Sequence, residues 1–135
     1  MYRCRSPYSL LVPAFVAVAL HAAAPAALAQ VQRNFPAEAL RGELRVSAPP
    51  QVQLNGKDAQ LAPGARIRGE NNLLRLSATI PADPAYPVLY TLDPLGLVLD
   101  VWMLREDEAK RFWPRSREEA ATYRFDPAAQ TWTKL

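Results

Sequence analysis

Apolar and polar residues alternate along most of the chain from Glu43 onward, and this period of two predicts β-strands. The first run, residues 43–48, ends at Pro49-Pro50, because proline donates no hydrogen bond to a sheet. A second run, residues 52–61, surrounds Asn55-Gly56, a dipeptide that tolerates the positive φ angles of a tight turn. The sequence therefore predicts a strand followed by a β-hairpin.

Two further turn signals divide the next segment. Pro63-Gly64 predicts a turn, residues 65–70 alternate after it, and Asn71-Asn72 predicts another turn. A strand is then predicted over residues 74–80, with one apolar face. The residues of that face are Leu74, Leu76, Ala78 and Ile80.

Residues 88–92 and 97–104 predict the hairpin at the centre of the fold. Asp93-Pro94-Leu95-Gly96 separates the two runs and suits a β-turn with proline at its second position. The second run is apolar on both faces, which is typical of a strand that is covered on both sides.

The last third of the chain predicts two short helices and a hairpin. Residues 105–113 are rich in helix formers, and Ser116 with Glu119 matches a capping box that opens a second helix. Phe125 and Trp132 flank the turn of the last hairpin. Together the elements predict a mainly β fold: a small antiparallel, barrel-like meander with one or two short C-terminal helices.

The N-terminal segment has the three regions of a secretory signal peptide. Arg3 and Arg5 give a positive start, residues 10–24 are mostly apolar, and Ala27-Leu28-Ala29 has the small-x-small pattern of a cleavage site. The apolar run is shorter than the roughly 18 to 20 apolar residues of a membrane-spanning helix.

This pattern leads to a division of the chain. We expect residues 1–29 to be a signal peptide that is cleaved between Ala29 and Gln30, residues 30–42 to be an N-terminal leader that is loose over residues 30–33, and residues 43–135 to form one β-rich domain. The expected location is periplasmic or secreted, with no transmembrane segment after processing.

Removal of the signal peptide would change the chemistry of the chain. The full sequence has 16 basic and 13 acidic residues, and the loss of Arg3 and Arg5 leaves 14 basic residues and a net charge of +1 in place of +3. Such a chain has no overall electrostatic reason to bind nucleic acid. Cys4 and His21 are the only cysteine and histidine, so we expect no disulfide, no metal site, no cofactor and no catalytic residue of these types.

Catalysis would then depend on carboxylates, among which Asp100 stands out because apolar residues surround it in its predicted strand. A glycan hydrolase or lyase would need Asp100 and a glutamate of the late helices roughly 5 to 10 Å apart. An arginine partner, Arg75 or Arg105, or a position at a sheet edge is the alternative explanation.

Basic residues and tryptophan interleave in a way that suits an anionic glycan. We expect Trp113 to be partly exposed beside Pro114; surface ion pairs and a buried tryptophan are the alternative interpretation. The candidate ligand-binding residues are Arg66, Arg68, Lys110, Arg111, Trp113, Arg115 and Arg117.

Several short stretches resemble a group of uncharacterised small exported proteins of β-proteobacteria, for which no activity is known. The resemblance covers nearly the whole chain after residue 29 and implies export in a Gram-negative cell, but it implies no functional residue. The stretches are Asn34-Phe35-Pro36-Ala37, Leu54-Asn55-Gly56, residues 61–68, Val101-Trp102-Met103-Leu104, Trp113-Pro114, Phe125-Asp126-Pro127 and Trp132.

These observations favour a non-enzymatic, envelope-associated binding protein of the periplasm. Its expected partner is an envelope glycan or another envelope protein. Two alternatives remain: a carboxylate-dependent cell-wall glycan hydrolase or lyase, and an inhibitor or assembly partner of an envelope protein.

Export makes a prediction about the N-terminus. Mass spectrometry of protein recovered from the periplasm should find Gln30 as the first residue, either unmodified or cyclised to pyroglutamate. Recovery of a chain that still begins at Met1 would contradict the localisation.

Overall fold

The computed structural model describes residues 31–135. The predicted signal peptide and its cleavage site therefore lie outside the described residues. The described elements are β1 (Leu40–Ala48), β2 (Gln51–Leu54), β3 (Lys57–Arg68), β4 (Leu74–Arg75), a 3-10 turn (Ser77–Thr79), β5 (Tyr86–Leu92), β6 (Val98–Met103), α1 (Glu106–Ala109), α2 (Arg117–Ala120), β7 (Tyr123–Asp126) and β8 (Thr131–Lys134).

Five strands close into a barrel. β1, β2 and β3 form an antiparallel meander, β5 pairs with β1, and β6 lies between β5 and β3. The β3–β6 pairing is parallel, whereas the other pairings among these five strands are antiparallel. Three consecutive strands with a later strand beside the first make a Greek key, and a five-stranded Greek-key barrel is the architecture of the OB-fold.

The mainly β, barrel-like prediction and the two short helices are confirmed. The hairpin turn between β2 and β3 is also confirmed, because Asn55 and Gly56 have φ angles of 54° and 77°. α2 begins after Ser116, whose Oγ accepts a hydrogen bond from the Glu119 amide at 3.1 Å, as the capping box predicts.

The predicted turn at Pro63-Gly64 is wrong, because β3 runs through both residues. Gly64 has a φ angle of 77°, and the pairing register with β6 shifts between Leu61 and Arg66. The dipeptide therefore marks a bulge. The bulge lies where β3, which pairs with β2 in its first half, pairs with β6 in its second half.

The predicted strand over residues 74–80 is mostly absent. Only Leu74 and Arg75 pair with β3, and a 3-10 turn follows in which the Thr79 hydroxyl donates to the Leu76 carbonyl at 2.7 Å. Such local hydrogen bonds compete with strand pairing. Leu74 and Leu76 are 65% and 75% exposed, and Ile80 alone of the predicted inner face is buried.

The β5–β6 hairpin lies at the centre of the fold, as predicted, and apolar clusters cover both of its faces. The barrel core on its inner face consists of Leu40, Leu44, Val46, Val52, Leu61, Ile67, Ile80, Val88, Tyr90, Val98, Val101 and Met103. We call the cluster on the outer face the aromatic cluster; it consists of Phe35, Ala39, Leu89, Trp102, Leu104 and Trp113, with Phe125 and Trp132 packed against it.

The segment before β1 packs against the barrel, in contrast to the loose leader that the sequence predicts. The Arg33 side chain is 5% exposed and donates to both carboxylate oxygens of Glu108, whose side chain is 6% exposed. Arg33 also donates to the carbonyls of Gly69 at 3.0 Å and Met103 at 2.8 Å. The sequence pattern gives no sign of this, because the two partners are far apart in the chain.

Loss of one member of this buried ion pair should be costly. Arg33→Met should lower the free energy of unfolding by about 3 to 5 kcal/mol, because Glu108 keeps a buried charge and loses the guanidinium that donates to both of its oxygens. Urea unfolding followed by circular dichroism measures the change.

Two further variants test this prediction. Arg45→Met removes the exposed ion pair with Asp83 and should cost at most about 1 kcal/mol. The double variant Arg33→Met/Glu108→Leu should lose less than the two single variants together. Additive losses would contradict the coupling of the two side chains.

Candidate functional site

A row of four outward-facing residues crosses the barrel, and its two central residues belong to the aromatic cluster. Strand register aligns Arg41 with Leu89, Leu89 with Trp102, and Trp102 with Arg68. The row thus has an apolar centre and a cation at each end. The segments that cover its centre carry Phe35, Trp113, Phe125 and Trp132.

Trp113 is buried, so the expectation of partial exposure is wrong. Its exposed fraction is 8%, and its indole Nε1 donates to the Ala39 carbonyl at 2.7 Å. The ring makes edge contacts with Phe35 at 5.8 Å and Trp132 at 5.6 Å between centroids. The tryptophan is held there because the Arg41 amide of β1 donates to the carbonyl of the next residue, Pro114, at 2.8 Å.

A small cavity lies at the Arg41 end of the row. Its volume is about 20 Å³, which is room for one or two water-sized atoms. Apolar walls surround guanidinium groups and one carboxylate. The lining residues are Arg33, Phe35, Arg41, Leu89, Leu104, Glu108, Arg111, Trp113 and Gln130.

One hydrogen-bond donor of the Arg41 guanidinium is unsatisfied. Its Nη1 atom is buried and has no hydrogen-bond partner among the described residues. Burial lowers the pKa of Arg41, the neighbouring charge of Arg115 lowers it further, and Glu43 acts in the opposite direction. A buried donor without an acceptor is costly, so this corner favours a group that accepts hydrogen bonds.

The structure brings only part of the predicted basic surface to this corner. Arg111 lines the cavity and Arg115 acts on Arg41 electrostatically. Lys110 forms an exposed ion pair with Glu106 at 3.2 Å, which fits the alternative interpretation as surface ion pairs. Arg117 is exposed on α2.

Arg66 and Arg68 lie elsewhere on the same outer face of the barrel. Arg68 is stacked over Trp102, with its guanidinium carbon 6.0 Å from the ring centroid. Arg66 Nε donates to Asp100 Oδ1 at 3.1 Å. Neither residue lines the cavity at Arg41.

Asp100 has an arginine partner, but not one of the two that the sequence suggests. The parallel β3–β6 pairing aligns it with Arg66. Arg75 is hydrogen-bonded to the Met103 sulfur at 3.7 Å, and Arg105 pairs with Asp107 and Glu108. The parallel pairing was not predicted, and therefore the partner could not be.

Arg41 is the residue that sequence reasoning missed. The prediction placed residues 30–42 in the leader, before the first strand, whereas β1 begins at Leu40. The alternation of apolar and polar residues in β1 extends back to Arg41, and this signal could have placed the residue on the strand. Arg41 faces outward next to Leu89. Its proximity to Arg111 and Arg115 arises only through the packing of the C-terminal segment.

Comparison of the chain with protein-family models, with curated proteins and with solved structures finds no match. Within residues 31–135, no three acidic, histidine or cysteine side chains come together in a way that could hold a metal ion. In the same residues, no helix has the length and apolar character needed to cross a bilayer.

Burial of Trp113 leads to a stability prediction. Trp113→Ala should lower the free energy of unfolding by about 3 to 5 kcal/mol, because it opens a cavity and leaves the Ala39 carbonyl without its donor. Chemical denaturation monitored by far-UV circular dichroism measures the loss.

The neighbouring Phe112 provides the control, since it is 45% exposed and contacts Tyr123 alone among the aromatic rings of residues 31–135. Phe112→Ala should cost markedly less than Trp113→Ala. Similar losses in the two variants would refute the structural role assigned to Trp113.

Proposed function

We propose that this chain is a small exported, non-enzymatic domain of the Gram-negative periplasm that binds an anionic envelope glycan. Export is inferred from the signal-peptide pattern of residues 1–29. One observation carries the binding proposal: Arg41 and Arg111 line a cavity beside Arg115, and the Arg41 Nη1 atom is buried without a partner. We call these three arginines the basic corner.

The architecture is compatible with this function but does not specify it. OB-type barrels include binders of oligosaccharides and oligonucleotides. A fold of this kind hosts many functions, so the proposal depends on the basic corner and not on the barrel. The small net charge expected after processing favours a localised anionic group over nucleic acid as the ligand.

The hydrolase alternative has less support. Such an enzyme needs one carboxyl group that is protonated and one that is available to the sugar. Asp100 is hydrogen-bonded to Arg66, and Glu108 is hydrogen-bonded to Arg33 through both oxygens. Both acids are thus engaged by arginine side chains of the fold, which favours a structural role for each.

A role as an inhibitor or assembly partner has one specific observation in its favour. Leu73, Leu74 and Leu76 are 65%, 65% and 75% exposed around the two-residue strand β4. Exposed apolar residues beside a short strand are typical of protein contact sites. This surface is separate from the lining of the basic corner.

The glycan proposal predicts salt-sensitive binding that depends on the basic corner. Polygalacturonate should bind the purified protein, dextran should not, and added salt should weaken the binding because exposed charges are screened. Isothermal titration calorimetry measures both polymers. Arg111→Ala/Arg115→Ala should weaken the binding of polygalacturonate with little change in the melting temperature, since both side chains are exposed.

A matched variant removes two charges elsewhere. Arg45 and Arg124 are exposed on β1 and β7. Arg45→Ala/Arg124→Ala should retain most of the affinity. An equal loss in both double variants would show that only the net charge matters and would reject the basic corner as the binding site.

A further inference from the structure

We infer that the cavity at Arg41 is a subsite for a single carboxylate group, held by the guanidinium groups of Arg41 and Arg111. This inference names the chemical group that the basic corner recognises, and in that respect it rests on the proposed function. Three properties of the cavity lead to it: the charges that remain unpaired, the hydrogen-bonding groups that remain unused, and the available space.

The unpaired charge in the cavity is positive. Glu108 is the acidic lining residue, and its oxygens accept hydrogen bonds from Arg33 and from the Arg105 amide. Arg33 and Glu108 therefore neutralise each other. Glu43, the acidic residue that acts on Arg41, is exposed on β1. Arg41 and Arg111 thus remain as cations at the cavity, with Arg115 adding to the positive potential.

The polar groups that remain unused are donors. The Gln130 side-chain oxygen accepts a hydrogen bond from the Phe35 amide at 2.8 Å, and the side-chain nitrogen donates to the Pro127 carbonyl at 2.9 Å. The Trp113 indole nitrogen donates to Ala39. Among the residues that line the cavity, Arg41 supplies the buried donor without an acceptor, its Nη1 atom. A ligand group that fits must accept hydrogen bonds, and a carboxylate accepts them without donating any.

The available space favours a carboxylate over a phosphate. A volume of about 20 Å³ accommodates one or two water-sized atoms, so the cavity can enclose the two oxygens of a carboxylate but only part of a phosphate. The planar fork of a guanidinium matches a carboxylate and a phosphate alike, so the preference rests on the size of the cavity. Phe35, Leu89 and Trp113 form apolar walls, and a low local dielectric strengthens hydrogen bonds between charged groups.

Acetate is the probe for the isolated group. Titration of the purified protein with sodium acetate, sodium phosphate and sodium chloride at equal ionic strength can be followed by tryptophan fluorescence, because Trp113 lines the cavity. We expect a saturable response to acetate and a weaker response to the other two anions. Equal responses to all three would overturn the carboxylate assignment.

Variants connect the response to the cavity. Arg41→Gln and Arg111→Gln should each weaken acetate binding about tenfold or more, since each removes a charged donor. Arg45→Gln, on the same face of the same strand, should bind as the parent protein does. If Arg41→Gln does not fold, Arg41→Lys provides the test, because lysine retains the positive charge but lacks the forked guanidinium. Undiminished acetate binding by Arg41→Lys would overturn the site.

Two further titrations distinguish the sources of the carboxylate. A galacturonate disaccharide presents the acid of a glycan, and an N-acetylated tripeptide presents the acid of a peptide terminus. Tighter binding of either one than of acetate, lost in Arg41→Gln, supports the subsite and identifies its source. Binding of acetate without binding of polygalacturonate would reject the proposed function and leave the subsite intact, whereas the reverse result would reject the subsite alone.

Discussion

The buried ion pair between Arg33 and Glu108 connects parts of the chain that share no sheet hydrogen bonds. Arg33 precedes β1, Glu108 lies on α1, and the same guanidinium reaches the backbone after β3 and the end of β6. Charges of this kind are tolerated in an interior only when every donor and acceptor is satisfied. The network therefore fixes one arrangement of these segments, and the cavity at Arg41 is built on that arrangement.

The β5–β6 hairpin is shared by two cores. Its inner face contributes to the barrel core and its outer face supports the aromatic cluster. Leu89 and Trp102 are paired neighbours on this outer face, and the segment that contains Trp113 covers them. That segment is hydrogen-bonded to the start of β1. The Arg41 amide donates to the Pro114 carbonyl, and the Trp113 indole donates to the carbonyl of Ala39, just before the strand. A basic residue of the first strand thereby meets basic residues that come more than half a chain later.

Local signals in the sequence account for much of the fold. Asn55-Gly56 and the Ser116 cap act within a few residues, and the two-faced apolar pattern of residues 97–104 identified the central hairpin. The failures have a common origin in long-range pairing. The bulge at Gly64 and the Arg66–Asp100 pair both follow from the parallel β3–β6 contact, which no local pattern encodes. Likewise, Trp113 and the Nη1 atom of Arg41 are buried because distant segments pack on β1, so the candidate site was only partly predictable.

The closure of the barrel has a kinetic consequence. Leu40 pairs with Tyr90, and Leu61 pairs with Val98, so the pairings that close the barrel join residues that are distant in sequence. Forming such contacts costs loop-closure entropy before the core contributes stability, and proteins of this kind fold slowly compared with helical bundles of similar size. Until β5 and β6 are in place, the meander of β1 to β3 has open edges that can pair with other chains. The newly made chain is thus exposed to aggregation for longer than its small size suggests.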